Sequence, residues 1–316
     1  MRRALLVGID DYPDAPLTGC INDARAMAAL LARHADNSPN FDVQLVTSDK
    51  DAITRASLRA DIEKLFQHDV ADVALLYFSG HGTENNLDGY LVTPDAAKYE
   101  EGVGLTEVLS LANQSKAREV VLILDSCMSG TLGQIPATGS NQASLREGVS
   151  ILTASRSGQV STESGGRGLF TELVCGALDG GAADVLGHVT AASTYAYVEQ
   201  ALGSWDQRPL FKAHVATLTP LRKTAPAVQL ETLRRLPEWF ETPNFEFPLD
   251  PSYEHTTDPQ HEEHQDIFRR LQEMSRCKVV EPVDEEFMYY AAVNSKACRL
   301  TPLGQQYWRM AQAVRI

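Results

Sequence analysis

Residues 72–82 read DVALLYFSGHG and residues 119–127 read EVVLILDSC, and these two stretches decide the fold. Each is an apolar run of strand length that ends in a reactive side chain, His81 in the first and Cys127 in the second. A buried strand holds its end rigidly, and loops at strand ends are where sheet proteins place chemistry. A histidine and a cysteine at one sheet edge are the minimum for nucleophilic catalysis by a thiol.

Strands and helices alternate on both sides of these stretches. Further apolar runs predict strands over 3–9, 42–48, 150–155 and 211–218, while helical periodicity marks 19–34, 54–68, 105–114, 168–180 and 190–205. Residues 83–103 are predicted to be an irregular polar segment containing one short apolar piece. This alternation predicts an α/β domain with about six mostly parallel strands, covered by helices on both faces.

The predicted domain boundaries follow a shift in composition after the last strand. Residues 1–220 form the α/β domain, 221–260 form a proline-rich linker or wrapping segment, and 261–316 form a small, mainly helical module, for which a winged helix is one option. Residues 225–316 contain 10 Lys and Arg and 15 Asp and Glu, which gives a net charge of −5. A duplex-binding module should be basic, so protein docking or regulation is the favoured role of this module.

Composition narrows the class of protein further. The 316-residue chain has a formal net charge of −14, which argues against nucleic acids and anionic membranes as partners. The N-terminal apolar run is too short for a signal peptide, and no run of 18 apolar residues predicts a membrane span. Five cysteines without CxxC spacing indicate reduced thiols, and therefore a cytoplasmic protein.

The chemistry of the two strand ends favours a catalytic pair. A thiol becomes a good nucleophile as a thiolate, and an imidazole can accept its proton. Cys127 lies in the sequence DSCMSG, where turn amides can face an oxyanion, and Gly80 and Gly82 allow the backbone around His81 to approach a substrate. Each residue alone could be structural. Their matched positions at strand ends, 46 residues apart, favour catalysis.

Several segments resemble the caspase-like cysteine peptidases. YFSGHG (77–82) and LILDSCMSG (122–130) resemble their histidine and cysteine boxes, and ALLVGIDDY (4–12) and GCINDA (19–24) resemble the prokaryotic, metacaspase-type branch. The resemblance covers residues 3–218 and implies a three-layer α/β sandwich. It also implies a His81–Cys127 dyad and an oxyanion hole made by the amides of Gly82 and Cys127. Met128 departs from the histidine often found there, which affects the subfamily assignment.

The same resemblance suggests a specificity. In the metacaspase pattern, positions matching Cys20, Asp23, Ser79 and Asp125 line the pocket for the residue before the cleaved bond. Two carboxylates in a cleft would suit an Arg or Lys side chain and repel Asp. The alternative is that Asp23 merely begins a helix, where a carboxylate is favourable anyway.

The resulting hypothesis is a cytoplasmic cysteine endopeptidase that cleaves proteins after exposed Arg or Lys, with a regulatory protein as a further partner of the C-terminal module. A role in regulated proteolysis, including antiviral defence and cell death, follows from the resemblance only. Two alternatives stay open: a non-catalytic interaction protein of the same fold, and the same dyad acting on a non-peptide acyl substrate.

No cofactor is predicted. Calcium activates many metacaspases, but Asp88 and Asp95 show no clear cluster and are interpreted as solvated loop carboxylates. HEEH (261–264) with His255 does not match zinc-binding spacing and is interpreted as a charged helix face. Arg146 and Arg167 are candidate autoprocessing sites, although solvated loop arginines are the simpler interpretation.

Overall fold

The computed structural model describes residues 1–67, 71–85, 88–98, 100–126, 144–154, 163–164, 167–202, 209–256 and 258–316. These residues form two compact units. The first unit comprises residues 1–183 and 188–224, and the second comprises residues 184–187 and 225–316. None of the helices in these ranges combines the length and the apolar character that crossing a bilayer requires.

The first unit alternates strands and helices along most of its length. Its strands are β1 (Arg2–Gly8), β2 (Asp42–Thr47), β3 (Val73–Ser79), β4 (Gly82–Glu84), β5 (Gly89–Ala97), β6 (Glu100–Gly104), β7 (Glu119–Asp125), β8 (Val149–Thr153), β9 (Glu163–Ser164), β10 (Arg167–Gly168), β11 (His188–Val189), β12 (Leu210–His214) and β13 (Arg222–Lys223). Its helices are α1 (Cys20–Ala32), α2 (Arg55–Gln67), α3 (Leu105–Gln114), α4 (Leu169–Gly176), which runs into a π turn over Ala177–Gly181, and α5 (Ala191–Leu202).

A six-stranded sheet in the order β12-β8-β7-β3-β1-β2 is the centre of this unit. The five strands from β8 to β2 are parallel, and only β12 at the edge runs antiparallel. All residues of β3 and β7 are buried, as expected for central strands covered on both faces. The prediction of six mostly parallel strands is therefore confirmed.

Alternate residues of the strands point into two separate apolar layers. Leu76 and Phe78 of β3 share one core with Leu58 and Ile62 of α2. Leu75 and Tyr77 share the other core with helices α1, α4 and α5. Since successive side chains of a strand face opposite sides, one apolar run fills both layers. The result is the helix–sheet–helix sandwich predicted from the alternating pattern.

The segment after His81 differs from the prediction of an irregular loop. Strands β4, β5 and β6 form a separate three-stranded antiparallel sheet in the order β4-β5-β6. In β5 the buried residues alternate, with Leu91 and Thr93 completely buried. The alternation is short and flanked by glycine and charged residues, so it does not reach the strength of a strand signal in the sequence.

The second unit has its own apolar core. Its helices are α6 (Leu230–Arg234), α7 (Leu236–Trp239), α8 (Glu262–Arg276), α9 (Met288–Val293) and α10 (Pro302–Gln312), with a 3-10 turn over Pro251–Tyr253. Its strands are β14 (Glu246–Pro248), β15 (Val280–Val283) and β16 (Ala297–Leu300), and they form an antiparallel sheet in the order β14-β16-β15.

Residues 225–260 lie in the stretch predicted to be a linker or wrapping segment, and they contribute to the core of the second unit. Val228, Leu236 and Phe240 are buried in the same core as Leu271 of α8 and Leu300 of β16. Pro237 and Pro251 stand in the first turns of helical segments and Pro248 ends β14, positions where a missing N–H is tolerated. In the structure these residues are therefore part of the second unit.

Candidate active site

The main chain of His81 is held on both sides by one tyrosine and one strand. His81 N–H donates to the Tyr12 hydroxyl at 3.0 Å, and that hydroxyl donates to the Val92 carbonyl at 3.1 Å. Val92 N–H in turn donates to the His81 carbonyl at 3.0 Å. The Tyr12 and His81 rings also lie in contact, with centroids 4.5 Å apart and planes tilted by 57°. Tyr12 and β5 thus hold His81 directly beyond the end of β3.

The orientation of the imidazole follows from one further contact. His81 Nε2 lies 2.7 Å from the Ala15 carbonyl oxygen. A carbonyl can only accept, so Nε2 carries the hydrogen in the neutral ring. Nδ1 is then the nitrogen with the available lone pair, and it is the atom that can accept a proton from a thiol.

The structure gives a further reason for glycine at position 80, besides the approach to a substrate that its sequence context suggested. A Cβ at Gly80 would lie 2.5 Å from the Tyr12 hydroxyl, closer than real Cβ contacts come. Glycine is thus needed here to admit Tyr12. Gly82, expected to supply an oxyanion amide, is half-buried and begins β4.

Cys127, the expected nucleophile, and Met128 lie outside the described residues. The described chain after β7 ends at Ser126, one residue before Cys127. The ends of β3 and β7 nevertheless meet, because Ser79 pairs with Asp125 in the parallel register. Gly80 N–H donates to the Asp125 carbonyl at 3.3 Å, which connects the histidine loop to the strand that leads to Cys127. The pairing of His81 with Cys127 and the oxyanion hole stay predictions.

The four residues expected to line the specificity pocket lie together, and we call them the acidic pocket. Cys20 and Asp23 are on α1, while Ser79 and Asp125 end β3 and β7, and all four are buried. The Cys20 thiol hydrogen-bonds Ser79, and burial raises its pKa, with smaller contributions from nearby carboxylates that include Asp125 and Asp23. Cys20 is therefore a protonated structural thiol rather than a second nucleophile.

Both carboxylates of the acidic pocket face one glycine at the start of α4. Gly168 N–H donates to Asp23 Oδ2 at 3.0 Å. A Cβ on Gly168 would lie 2.5 Å from Asp125 Oδ2 and 3.1 Å from Asp23 Oδ2. Two negative side chains therefore converge on this edge of the sheet, a surrounding that suits a cationic guest.

The start of α1 is stabilised by a residue that sequence reasoning missed. Asp10 accepts from the amide of Cys20 at 2.8 Å and from that of Ile21 at 3.4 Å. The Asp23 side chain reaches across to Gly168 instead, so it does more than begin a helix. Asp10 lies ten residues before the helix, outside the local window in which capping signals are recognised.

Two further polar side chains adjoin the acidic pocket and were not singled out from the sequence. Thr171 Oγ1 donates to Asp125 Oδ2 at 2.7 Å, and the Tyr77 hydroxyl lies 2.6 Å from the same Thr171 oxygen. The available signal was weak: a threonine within a mostly apolar helix and a tyrosine within a mostly apolar strand.

Asp88 and Asp95 are bound more closely than solvated loop carboxylates would be. Asp88 accepts from the amide and hydroxyl of Thr106, in the first turn of α3. Asp95 accepts from the Arg55 amide at the start of α2, at 3.0 Å. Both therefore satisfy helix N-termini. Across the described ranges, no group of three or more His, Cys, Asp or Glu is arranged to hold a metal ion.

One of the two candidate autoprocessing residues, Arg146, has local partners. The Arg146 guanidinium donates to the carbonyls of Ala117 at 2.7 Å and Glu147 at 2.6 Å, so this side chain is not freely solvated, and autoprocessing at Arg146 stays a prediction. The side chain of Arg167 lies outside the described residues.

The HEEH segment begins α8 with Glu262 and Glu263 exposed, as expected for a charged helix face, while His264 packs against other rings. His264 stacks on Tyr253 and on His261, at centroid distances of 4.2 Å and 3.7 Å, while the exposed His255 lies 3.5 Å from the carboxylate of buried Glu254.

A sequence model of the caspase domain matches residues 1–229 of this chain. The chain belongs to the caspase domain family of cysteine peptidases. Metacaspase-1 of Scheffersomyces stipitis is 27% identical over 173 residues, which cover 46% of this chain and 40% of that protein. Metacaspase-1 of Arabidopsis thaliana is 28% identical over 153 residues, which cover 43% of this chain and 41% of that protein.

The match to these metacaspases spans about two fifths of their length. A solved structure of a Geobacter sulfurreducens protein shares the fold, with a TM-score of 0.51 at 18% identity over 71% of this chain and 97% of that one. The caspase-domain match covers the whole six-stranded sheet, both strand ends and the acidic pocket.

Proposed function

We propose that this caspase-domain protein is a cysteine endopeptidase that cleaves after Arg or Lys, with His81 and Cys127 as its catalytic dyad. One observation carries the proposal: two buried carboxylates, Asp23 and Asp125, converge beside the strand end that leads to Cys127. A peptidase dyad next to a negatively charged pocket needs a positively charged side chain to occupy that pocket.

The mechanism follows from the orientation of His81. Nδ1 accepts the Cys127 proton, and the thiolate attacks the peptide carbonyl carbon, forming the carbon–sulfur bond. Amides of Gly82 and Cys127 donate to the resulting oxyanion. The tetrahedral intermediate then expels the amine, which takes the proton from His81, and a thioester remains. Water, deprotonated by His81, hydrolyses the thioester and restores the thiol.

Specificity follows from charge in a poorly solvated place. A guanidinium or ammonium group brings donors and positive charge to Asp23 and Asp125, and charge-assisted hydrogen bonds are about twice as strong as neutral ones. An Asp side chain would add a third negative charge to the same cleft, which is repelled. The caspase domain of this chain is therefore expected to reject acidic residues at the position before the cut.

A panel of fluorogenic peptides that differ only in the residue before the reporter tests the proposal. Arg and Lys peptides should be cleaved at least about 100-fold faster than the Asp peptide, since one misplaced charge costs several kcal/mol. Cys127→Ala and His81→Ala should abolish cleavage, and Asp125→Asn should remove the preference for Arg while the chain stays folded. Faster cleavage after Asp than after Arg would overturn the specificity.

The same variants address the broader role. A cytoplasmic place in regulated proteolysis, with defence against viruses as one setting, is proposed from the resemblance to metacaspases, and the second unit is proposed to dock a regulatory protein. Cells carrying Cys127→Ala should lose the defence response that wild-type cells show on viral infection. An unchanged response, together with no labelling of Cys127 by a peptide-based thiol probe, would instead indicate a non-catalytic interaction protein. Labelling by acyl probes but not by peptide probes would indicate a non-peptide substrate.

A further inference from the structure

The hydroxyl of Thr171 has unusual partners for a helical threonine. Such a hydroxyl ordinarily bonds back to a carbonyl of the preceding turn, as Thr194 of α5 does by donating to Thr190 at 2.8 Å. Thr171, buried at 1% exposure in the first turn of α4, instead contacts Asp125 Oδ2 and the Tyr77 hydroxyl. Its polar atom is thus committed to side chains on two strands of the sheet.

The direction of the two hydrogen bonds follows from the groups involved. Thr171 donates its single hydroxyl proton to the Asp125 carboxylate at 2.7 Å. At the second contact of 2.6 Å, Thr171 can then only accept, so Tyr77 donates to it. Tyr77 is completely buried, and burial raises its pKa well above the ordinary value, so its proton is retained at neutral pH. The donor order is Tyr77, Thr171, Asp125.

We propose that Thr171, supported by Tyr77, is a positioning residue that sets the direction of the Asp125 carboxylate and so the preference of the acidic pocket for a basic side chain. The proposal rests on the proposed function only in taking that side chain as the guest of the pocket. The Asp23 carboxylate accepts a hydrogen bond from the amide of Gly168, three residues before Thr171. The start of α4 therefore holds both carboxylates in place before a guest arrives, which lowers the cost of binding.

The decisive comparison uses two peptides that differ only in charge, one with arginine and one with citrulline before the cleaved bond. Thr171→Val keeps the shape and removes the hydroxyl. It should lower kcat/KM on the arginine peptide by about 10-fold to 100-fold, mainly through KM, because a hydrogen bond to a charged group is lost. The citrulline peptide should lose much less, so the arginine-to-citrulline ratio should fall.

Three variants show whether the hydroxyl itself is responsible. Thr171→Ser restores the hydroxyl and should keep the ratio within about threefold of wild type. Tyr77→Phe removes only the supporting donor and should lower the ratio less than Thr171→Val does. Thr194→Val removes an equally buried helical hydroxyl that bonds within its own helix, so the ratio should not change. A general loosening of the fold would lower kcat/KM on both peptides by the same factor, so the arginine-to-citrulline ratio would not change.

A binding experiment separates this proposal from the proposed function. Benzamidine, which imitates the arginine side chain, is titrated by calorimetry into the full chain carrying Cys127→Ala. Adding Thr171→Val should weaken binding by about 10-fold or more, and adding Thr171→Ser should not. If no peptide is cleaved but these affinities follow this order, the peptidase function fails and the positioning role holds.

Three results would overturn the positioning role. One is a folded Thr171→Val chain with the wild-type arginine-to-citrulline ratio and wild-type benzamidine affinity. Another is the absence of benzamidine binding to the Cys127→Ala chain. The third applies if circular dichroism shows that Thr171→Val does not fold. In that case Tyr77→Phe is the deciding variant, and a wild-type arginine-to-citrulline ratio and benzamidine affinity in that variant would overturn the role.

Discussion

Replacing Gly168 by alanine would place a methyl group between the two carboxylates of the acidic pocket. The backbone at Gly168 has φ −71° and ψ 126°, which alanine adopts without strain, so the whole effect arises from the new methyl group. That methyl would stand 2.5 Å from Asp125 Oδ2, so the oxygen must retreat by roughly 0.5 to 0.9 Å to reach a tolerable contact. Such a shift breaks the alignment of Asp125 with Thr171 and with any basic guest.

The magnitude follows from the hydrogen bonds that depend on this alignment. A hydrogen bond to a charged group contributes about 1.5 to 3 kcal/mol, which corresponds to a loss of about 10-fold to 100-fold in kcat/KM on an arginine peptide. Steady-state kinetics on the arginine and citrulline peptides measures it, and the citrulline peptide should be affected less. A Gly168→Ala chain that cleaves the arginine peptide within about threefold of wild type would refute the geometry.

Gly176, at the other end of the same helix, offers a matched control. It has helical angles of φ −60° and ψ −41°, and a Cβ there would find its nearest neighbour, the Tyr197 hydroxyl, at an ordinary 3.5 Å. Gly176→Ala should therefore stabilise the chain by about 0.5 to 1 kcal/mol, seen as a rise in Tm, with unchanged kinetics. Opposite outcomes for the two glycines would isolate the effect of the carboxylates from that of the helix.

Three further predictions address other parts of the chain. Tyr12→Phe removes the hydroxyl that binds the His81 amide, so kcat should fall with little change in KM, and the free energy of unfolding should drop by about 1 to 3 kcal/mol. Steady-state kinetics and thermal unfolding measure these two effects. An unchanged kcat would contradict the role assigned to Tyr12. Burial raises the pKa of Tyr77 and of Cys20 in the folded state, so their stabilisation is complete below the unfolded values of about 10 and 8.5 and is lost as pH rises beyond them. Urea unfolding from pH 7 to pH 11 should show this decline, and a flat profile would count against it. Leu271→Ala leaves a cavity in the core of the second unit and should cost about 2 to 5 kcal/mol by chemical denaturation, whereas a loss below about 1 kcal/mol would mean that the core is looser than described.

The central sheet could be predicted from sequence because its signal is carried within each strand. Residues 73–78 form an unbroken run of aliphatic and aromatic side chains, which is typical of a strand covered on both faces. Strand β5 has a weaker signal, because its alternation of buried residues covers only five positions and its partners are chosen by tertiary contacts. The same holds for residues 225–260, where prolines at element ends resemble those of a linker.

The candidate site shows the same division between local and distant information. His81 and the residues of the acidic pocket could be named because they lie in short motifs at strand ends. Tyr12 and Thr171 could not, since their partners are 69 and 46 residues away and depend on how strands and helices pack. No local pattern distinguishes the hydroxyl of Thr171 from that of Thr194, although only Thr171 reaches the acidic pocket.

The in-register pairing of Ser79 with Asp125 has a consequence for how this protein can vary. The pairing of β3 with β7 places the ends of the two strands side by side, so the chain between them is not needed to set the distance between those ends. Insertions at the exposed end of β5, over residues 96–98, should be tolerated, because Leu91 then stays in the core and Val92 still holds His81. A slip of β7 by one residue against β3 would turn all the side chains of β7 to the opposite face of the sheet. That exposed end of the β4-β5-β6 sheet is thus where we expect engineered insertions to be tolerated, while the register of the paired strands must be kept.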